Sequence, residues 1–274
     1  MKYKLKMEIK AKKSLGQNFL KSKKVLISMI KTGEVSSEDI VLEIGPGKGA
    51  LTEKLLLTGA KIIAVEKDNR LIEPLKEKFA KEISSGQLKI IHDDILDLDL
   101  SFLKANNYKL IANIPYYITG LILRKFLSGK IQPKKIVILV QKEIADRIIA
   151  RDGKESLLSL SIKAYGKPRK IIKVGKENFS PKPKVDSAIL LVDNISKDFF
   201  EGISEKLFFE IIKDGFAHKR KVLISNLKDF FKKQIKSAKK TPGDIFSEAK
   251  ITLKARAEDL KLEDWKNLLV SLNN

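Results

Sequence analysis

Between residues 39 and 141 short apolar runs alternate with amphipathic stretches, and this alternation limits the fold more than any other feature. "DIVLEIG" (39–45) is an apolar run closed by glycine, and "GALTEKLLLTG" (49–59) has helical spacing with a glycine stop. "AKIIAVEKD" (60–68) predicts a second strand, and "NRLIEPLKEKFAKEI" (69–83) a helix with Pro74 near its first turn. "QLKIIHDDIL" (87–96), "YKLIANIP" (108–115) and "PKKIVILVQ" (133–141) predict strands three to five. Apolar strands separated by helices imply a parallel sheet covered on both faces, an α/β fold of Rossmann-like type. Ligands bind such sheets at the carboxyl ends of the strands.

Beyond residue 150 the pattern changes. "RKIIKVG" (169–175) and "KVDSAILLV" (184–192), joined by "KENFSPKPK", predict an antiparallel pair that closes the sheet. After Asn194 only helical periodicity remains. Phe208, Ile211, Ile212 and Phe216 share one face, Leu223, Leu227 and Phe230 the next, and Leu262, Trp265, Leu269 and Leu272 the last. The expected division is an α/β domain over 1–194 and a small all-α domain over 195–274.

Charge narrows the partners. Lys plus Arg number 55 against 34 acids, a net +21, which favours a polyanion and first of all nucleic acid. Clusters recur at Lys12/Lys13, Lys21/Lys23/Lys24, Lys167/Arg169/Lys170, Lys182/Lys184, His218–Lys221 and Lys232/Lys233. "HKRK" (218–221) is expected to start a helix. The chain has no cysteine and only two distant histidines, His92 and His218, so no metal site is expected. No apolar run reaches the ~18 residues of a membrane span, and the basic start "MKYKLKMEIKAKK" lacks an apolar signal core. A cytoplasmic, soluble monomer is expected.

The first strand ends in "VLEIGPGKGALT", which places Gly45, Gly47 and Gly49 before a helix. Glycines let backbone turn sharply and approach a ligand, and a helix N-terminus adds a positive dipole end. Glu66 closes the second strand, where a carboxylate can accept both hydroxyls of a ribose. An ordinary tight turn is the plain alternative. Gly45, Gly47 and Ala50 also satisfy the dinucleotide pattern, so the loop alone does not separate NAD from S-adenosylmethionine. Glu43, giving E-x-G-x-G, and the "DDIL" run (93–96) favour the latter. Asp94 is placed to accept the exocyclic amine of an adenine, while Asp93 and Asp97 read as loop acids.

The fourth strand ends in "IANIPYYITG" (111–120). Asn-x-Pro spells an ordinary turn, but it also suits amine methylation. The lone pair of adenine N6 is delocalised into its ring. Two acceptors that hold both N–H bonds pull that nitrogen toward tetrahedral geometry. The Asn113 side-chain oxygen and the Ile114 backbone carbonyl form such a pair, and Pro115 stiffens the turn. Tyr116 offers a stacking face worth ~1–3 kcal/mol per base. Tyr117 reads as a packing residue at the start of the next helix. Phe179, beside Pro181 and Pro183 in a rigid loop, is either a core aromatic or a second stacking face.

These motifs resemble those of the ribosomal RNA adenine N6,N6-dimethyltransferases, most closely the bacterial enzymes that act on the small subunit. "KKSLGQNFL" (12–20) looks like that family's opening motif. "VLEIGPGKGALT", "VEKD" (65–68), "DDIL", "NIPYYIT" (113–119) and "NFSPKPKVDSAIL" (178–190) follow in order, and "ARAEDLKLEDWKNL" resembles the end of those bacterial enzymes. The resemblance implies a class I methyltransferase domain and a helical rRNA-recognition domain. It implies S-adenosyl-L-methionine as methyl donor, leaving as S-adenosylhomocysteine. The partner would be small-subunit (16S) rRNA or an immature small ribosomal subunit, dimethylated at N6 of two adjacent adenosines in its 3′-terminal hairpin loop.

By the same resemblance, Gln17, Asn18 and Leu20 border the donor pocket, and Gly45 and Gly47 approach its methionine part. Glu66 holds the ribose and Asp94 the adenine amine. Asn113 lies between donor and target, with Tyr116 and Phe179 sandwiching the target base. Two features depart from the pattern: Lys48 within the glycine loop, and a last helix that starts at Lys261–Leu262 without a Ser or Thr cap. The alternatives are a macrolide-resistance type of enzyme acting on large-subunit rRNA, a non-catalytic ribosome-assembly factor, a DNA adenine methyltransferase and an NAD-dependent oxidoreductase.

Overall fold

The computed structural model describes residues 9–105, 107–235 and 240–273; the first eight residues of the basic N-terminal stretch lie outside this range. The chain runs β1 (Phe19–Leu20), α1 (Lys23–Gly33), β2 (Ile40–Ile44), α2 (Ala50–Leu56), β3 (Lys61–Glu66), α3 (Asn69–Lys78), α4 (Ala80–Ser84), β4 (Leu88–His92), β5 (Lys109–Ala112). It continues with α5 (Thr119–Ser128), β6 (Lys135–Gln141), α6 (Lys142–Ile148), α7 (Leu157–Lys163), β7 (Lys167–Val174), β8 (Phe179–Ser180) and β9 (Ser187–Asp193). Helices α8 (Glu205–Gly215), α9 (Leu223–Asn226), α10 (Lys228–Gln234), α11 (Pro242–Glu248) and α12 (Leu262–Asn273) follow, with no strand among the described residues after β9.

Seven strands form one sheet in the order β4-β3-β2-β5-β6-β9-β7. Pairs β4–β3, β3–β2, β2–β5 and β5–β6 are parallel, and β9 runs antiparallel to β6. The reversal after β6 is the closing pair that the change of pattern predicts. The inner residues of the central strands are buried: Ile136 to Val140 are fully buried, as are Ala188, Ile189 and Leu190. Burying one such side chain contributes roughly 1.5–3 kcal/mol. Lys109 is the exception on β5. Its stem lies in the core, while its ammonium donates to the Glu34 carbonyl at 2.7 Å and pairs with Asp39 at 2.8 Å.

The chain divides into two compact units. One comprises 1–145 and 169–195, the other 146–168 and 196–274. The chain passes from one unit to the other for the last time after residue 195, and 146–168, with α7, cluster with the helical unit. That unit packs Phe208, Ile211 and Ile212 of α8 with Trp265 of α12 in its core. Phe216 caps α8 and stacks on Trp265, ring centroids 5.9 Å apart.

Several local expectations change. Pro74 lies in the interior of α3 rather than in its first turn, and the helical stretch breaks at Phe79 into α3 and α4. The expected helix over Leu223, Leu227 and Phe230 is two short ones. "HKRK" forms the turn before α9 rather than the start of a helix. At the start of the last helix Asp264 accepts from the Lys261 N–H at 2.7 Å, the reciprocal half of a capping box, and Lys261 supplies no Ser or Thr acceptor in return.

Gly49 and Gly86 share a left-handed φ of +76° but differ in space. A Cβ on Gly49 would meet the buried Phe79 ring at 2.5 Å, whereas one on Gly86 would meet nothing within 4 Å. Both alanine variants carry the left-handed penalty of ~1–2 kcal/mol. Gly49→Ala adds overpacking, a further ~1–3 kcal/mol. Urea unfolding of the two variants should therefore place Gly49→Ala clearly below Gly86→Ala; equal losses would refute this packing.

Candidate active site

Because β2, β3, β4 and β5 are parallel, their C-terminal ends open on one edge of the sheet. The residues at those ends are Gly45, Glu66, Asp94 and Asn113. They line a single cleft of about 630 Å³ with Gln17, Asn18, Leu20, Gly47, Ile114 and Tyr116. The glycine loop turns under it. Gly45 and Gly47 have φ of +66° and +59°, and a Cβ on Gly45 would meet nothing within 4 Å.

The N-terminal segment is tied to this edge by three contacts. β1 pairs antiparallel with β8, so Leu20 faces Phe179 in register. The Gln17 amide donates to Asp68 at 2.8 Å and accepts from the Lys12 N–H at 2.7 Å. Gln17 is thus a strut whose polar atoms are both engaged. Finally, the Asn113 Nδ2 donates to the Asn18 carbonyl at 3.1 Å. A carbonyl can only accept, so this bond fixes which way the Asn113 amide faces. Among the described residues no donor reaches Asn113 Oδ1 or the Ile114 carbonyl, although the Ile114 side chain is buried.

Tyr116 is anchored at its far end: its hydroxyl lies 2.6 Å from the Ser187 hydroxyl, and burial raises its pKa. Its ring lines the cleft. Phe179 does not. It is 1% exposed, belongs to the hydrophobic core, and is absent from the cleft wall. Its backbone is consumed by pairing with β1, which turns the ring inward, so the structure places it as a core aromatic and gives no open face for stacking.

Four carboxylates lie near this edge of the sheet, and their surroundings shift them in different directions. Glu66 is buried; one oxygen accepts the Gly47 N–H at 3.1 Å and the other the Asp68 N–H at 2.8 Å. Burial raises its pKa in spite of these bonds. Asp68 is held down to about 2, chiefly by Arg70, which grips it through two nitrogens. At Asp94 burial opposes ionisation, but Lys67 and the Leu96 N–H outweigh it and its pKa falls. Glu43 on β2 is itself buried with Thr52 as hydrogen-bond partner at 2.7 Å, and burial, with Glu66 nearby, pushes it up to about 8.

Motif reading overlooked three residues here. Phe19 lines the cleft, and a Cβ on Gly47 would come within 3.0 Å of its ring. Lys67 occupies one oxygen of Asp94. Tyr117, expected to be packed, is 63% exposed and lines the cleft with Leu121. The run of two tyrosines was the available signal.

The family model described as "Ribosomal RNA adenine dimethylase" matches residues 8–268. The chain belongs to the ribosomal RNA adenine dimethylase family. Among its relatives, the ribosomal RNA small subunit methyltransferase A of Dehalococcoides mccartyi is 40% identical over 262 residues, covering 95% of this chain and 88% of the relative. The protein of the same name from Fusobacterium nucleatum subsp. nucleatum is 36% identical over 268 residues, covering 96% and 98%. A solved dimethyladenosine transferase from Plasmodium falciparum superposes with a TM-score of 0.81 at 26% identity, covering 93% of this chain and 97% of that one. The 23S rRNA methyltransferase ErmE shares the fold, with a TM-score of 0.74 at 22% identity over 94% of this chain and all of that one. The sheet is thus that of a class I methyltransferase, the dimethylase fold.

The state of Glu43 in this dimethylase has a measurable signature. Its folded pKa of about 8 lies above the ordinary 4.5. The neutral carboxyl therefore stabilises the fold fully below about pH 4.5, and that contribution is lost as pH rises through 8. Glu43→Gln keeps a neutral group at every pH. Its stability relative to the unmutated chain should climb between pH 5 and 8 by up to ~1.4 kcal/mol per unit, read from chemical unfolding curves. Parallel curves would contradict the assignment.

Proposed function

We propose that this dimethylase transfers methyl groups from S-adenosylmethionine to N6 of two adjacent adenosines in the 3′-terminal hairpin loop of small-subunit rRNA. The observation that carries the reading is the Asn113 amide. One of its N–H bonds goes to the Asn18 carbonyl, which turns Oδ1 the other way and leaves it and the Ile114 carbonyl as two acceptors at the cleft. Such a pair suits an aromatic amine. Holding both N–H bonds draws the nitrogen lone pair out of conjugation, and no strong base is needed because the proton leaves after attack. Catalysis of this kind is positioning and electrostatics.

The residues present fit the donor. The open side of Gly45 admits a close ligand. Asp94 and Glu66 each keep acceptor capacity beyond their present bonds, since a carboxylate offers about four lone-pair sites. When bound, S-adenosylmethionine supplies a methyl group on a sulfonium, an electrophile that needs no further activation. Asn18 and Leu20 border this space, and Gly45 and Gly47 lie where its amino-acid part would reach. On the target side, the Tyr116 ring, held by Ser187, offers the stacking face. The 146–168 and 196–274 unit is assigned rRNA recognition, and its exposed His218–Lys221 turn supplies cations for phosphate. A cytoplasmic monomer suits this substrate.

The small-subunit assignment rests on relatives at 36–40% identity that carry that name. The large-subunit reading has the likeness to ErmE alone, which at 22% identity speaks for the fold.

Incubation with S-adenosylmethionine and unmethylated small or large ribosomal subunits, followed by mass spectrometry mapped to the nucleotide, tests the reading. Two adjacent dimethyladenosines in the small subunit are expected; modification of the large subunit alone would overturn it. Asn113→Ala should lower turnover ~10²-fold or more while S-adenosylhomocysteine still binds, measured by calorimetry. Unchanged turnover would remove Asn113 from the mechanism.

A further inference from the structure

Tyr117 has no part in the chemistry above, yet it is an exposed aromatic at a cleft otherwise built for a nucleobase. Its side chain is 63% exposed, although aromatics normally gain by burial. It is not loose. A Cβ on Gly16 would lie 3.0 Å from Tyr117 Cε1, 3.2 Å from Cδ1 and 3.4 Å from Pro115 Cβ. The Cδ1–Cε1 edge of the ring therefore lies against Gly16, which holds a left-handed φ of +59° and where a side chain would crowd that edge. The remaining surface is open to solvent. Leu121, 52% exposed, stands one helical turn along the same wall of the cleft.

We propose that Tyr117 is a stacking platform for the nucleobase next to the target adenine, a proposal that rests on the rRNA-methylating reading. An unpaired target must leave its stack to reach Asn113, and its neighbour loses a stacking partner at the same moment. A backed ring at the mouth of the cleft replaces that partner. Stacking is sequence-tolerant, because every base has a π-face. The two tyrosines then divide the work. Tyr116 has its hydroxyl tied down on Ser187 and faces the target, and Tyr117 faces the neighbouring base. Tyr117 is a substrate-positioning residue rather than a catalytic one.

The test is the dissociation constant and KM for unmethylated small ribosomal subunits, measured with Tyr117→Ala, Tyr117→Phe and Tyr117→Trp. Tyr117→Ala should raise both about 5- to 30-fold. The Phe and Trp variants, which keep a ring, should stay within about twofold of the unmutated protein. Affinity for S-adenosylhomocysteine should be the same in all four. Unchanged subunit affinity in Tyr117→Ala overturns the proposal, and so does a loss of S-adenosylhomocysteine affinity, which would assign the ring to the donor. Failure of the underlying reading is visible separately, as an unmutated protein that transfers no methyl to small subunits.

Discussion

A single hydrogen bond orders the candidate site. The Asn113 amide donates to the Asn18 carbonyl, joining residues 95 apart in sequence. Rotate that amide by half a turn and a donor would face the cleft, which repels an amine's hydrogens instead of accepting them. The bond exists only because the N-terminal segment is laid along the strand ends, and the other ties serve that placement. The β1–β8 pair fixes the segment at one end. Gln17, bound to Asp68, fixes it at the other. Arg70 grips Asp68 and lowers its pKa further below the ordinary carboxylate value, so the acceptor of the strut stays ionised well into the acid range.

The carboxylates obey the same logic of fixed environment. Four acids lie close together at one sheet edge, and burial, cations and backbone N–H groups separate their behaviour. Asp68 and Asp94 are held ionised, Glu43 is held neutral, and Glu66 is shifted up while clamping the glycine loop through the Gly47 N–H. A neutral Glu43 beside Glu66 avoids two buried like charges. The E-x-G-x-G spelling therefore has a structural reason besides its use as a family signature.

Much of this was legible in sequence, for identifiable reasons. Strands β2 to β6 are near-continuous apolar runs, and glycine punctuates them, so their existence and parallel sense followed from pattern, whereas their order across the sheet did not. The cleft residues could be found because parallel strands deliver their ends to one edge. Phe179, expected to sandwich the target base with Tyr116, is a core residue instead, since its burial depends on pairing between two-residue strands that carry no periodic signal. The placement of Tyr117 was missed for a related reason: its ring edge lies against Gly16, far away in the chain, a contact that no local pattern signals. The two-part α3–α4 and α9–α10 segments show the usual weakness of helical periodicity, which runs on through a break.

The most direct test is a crystal structure of the protein with S-adenosylhomocysteine and an adenosine nucleotide in the cleft. Asn113 Oδ1 and the Ile114 carbonyl should both lie within hydrogen-bond distance of the adenine N6, with Asn113 Nδ2 still on the Asn18 carbonyl. An adenine held elsewhere, or an Asn113 whose Nδ2 faces N6, would contradict the central role given to that amide.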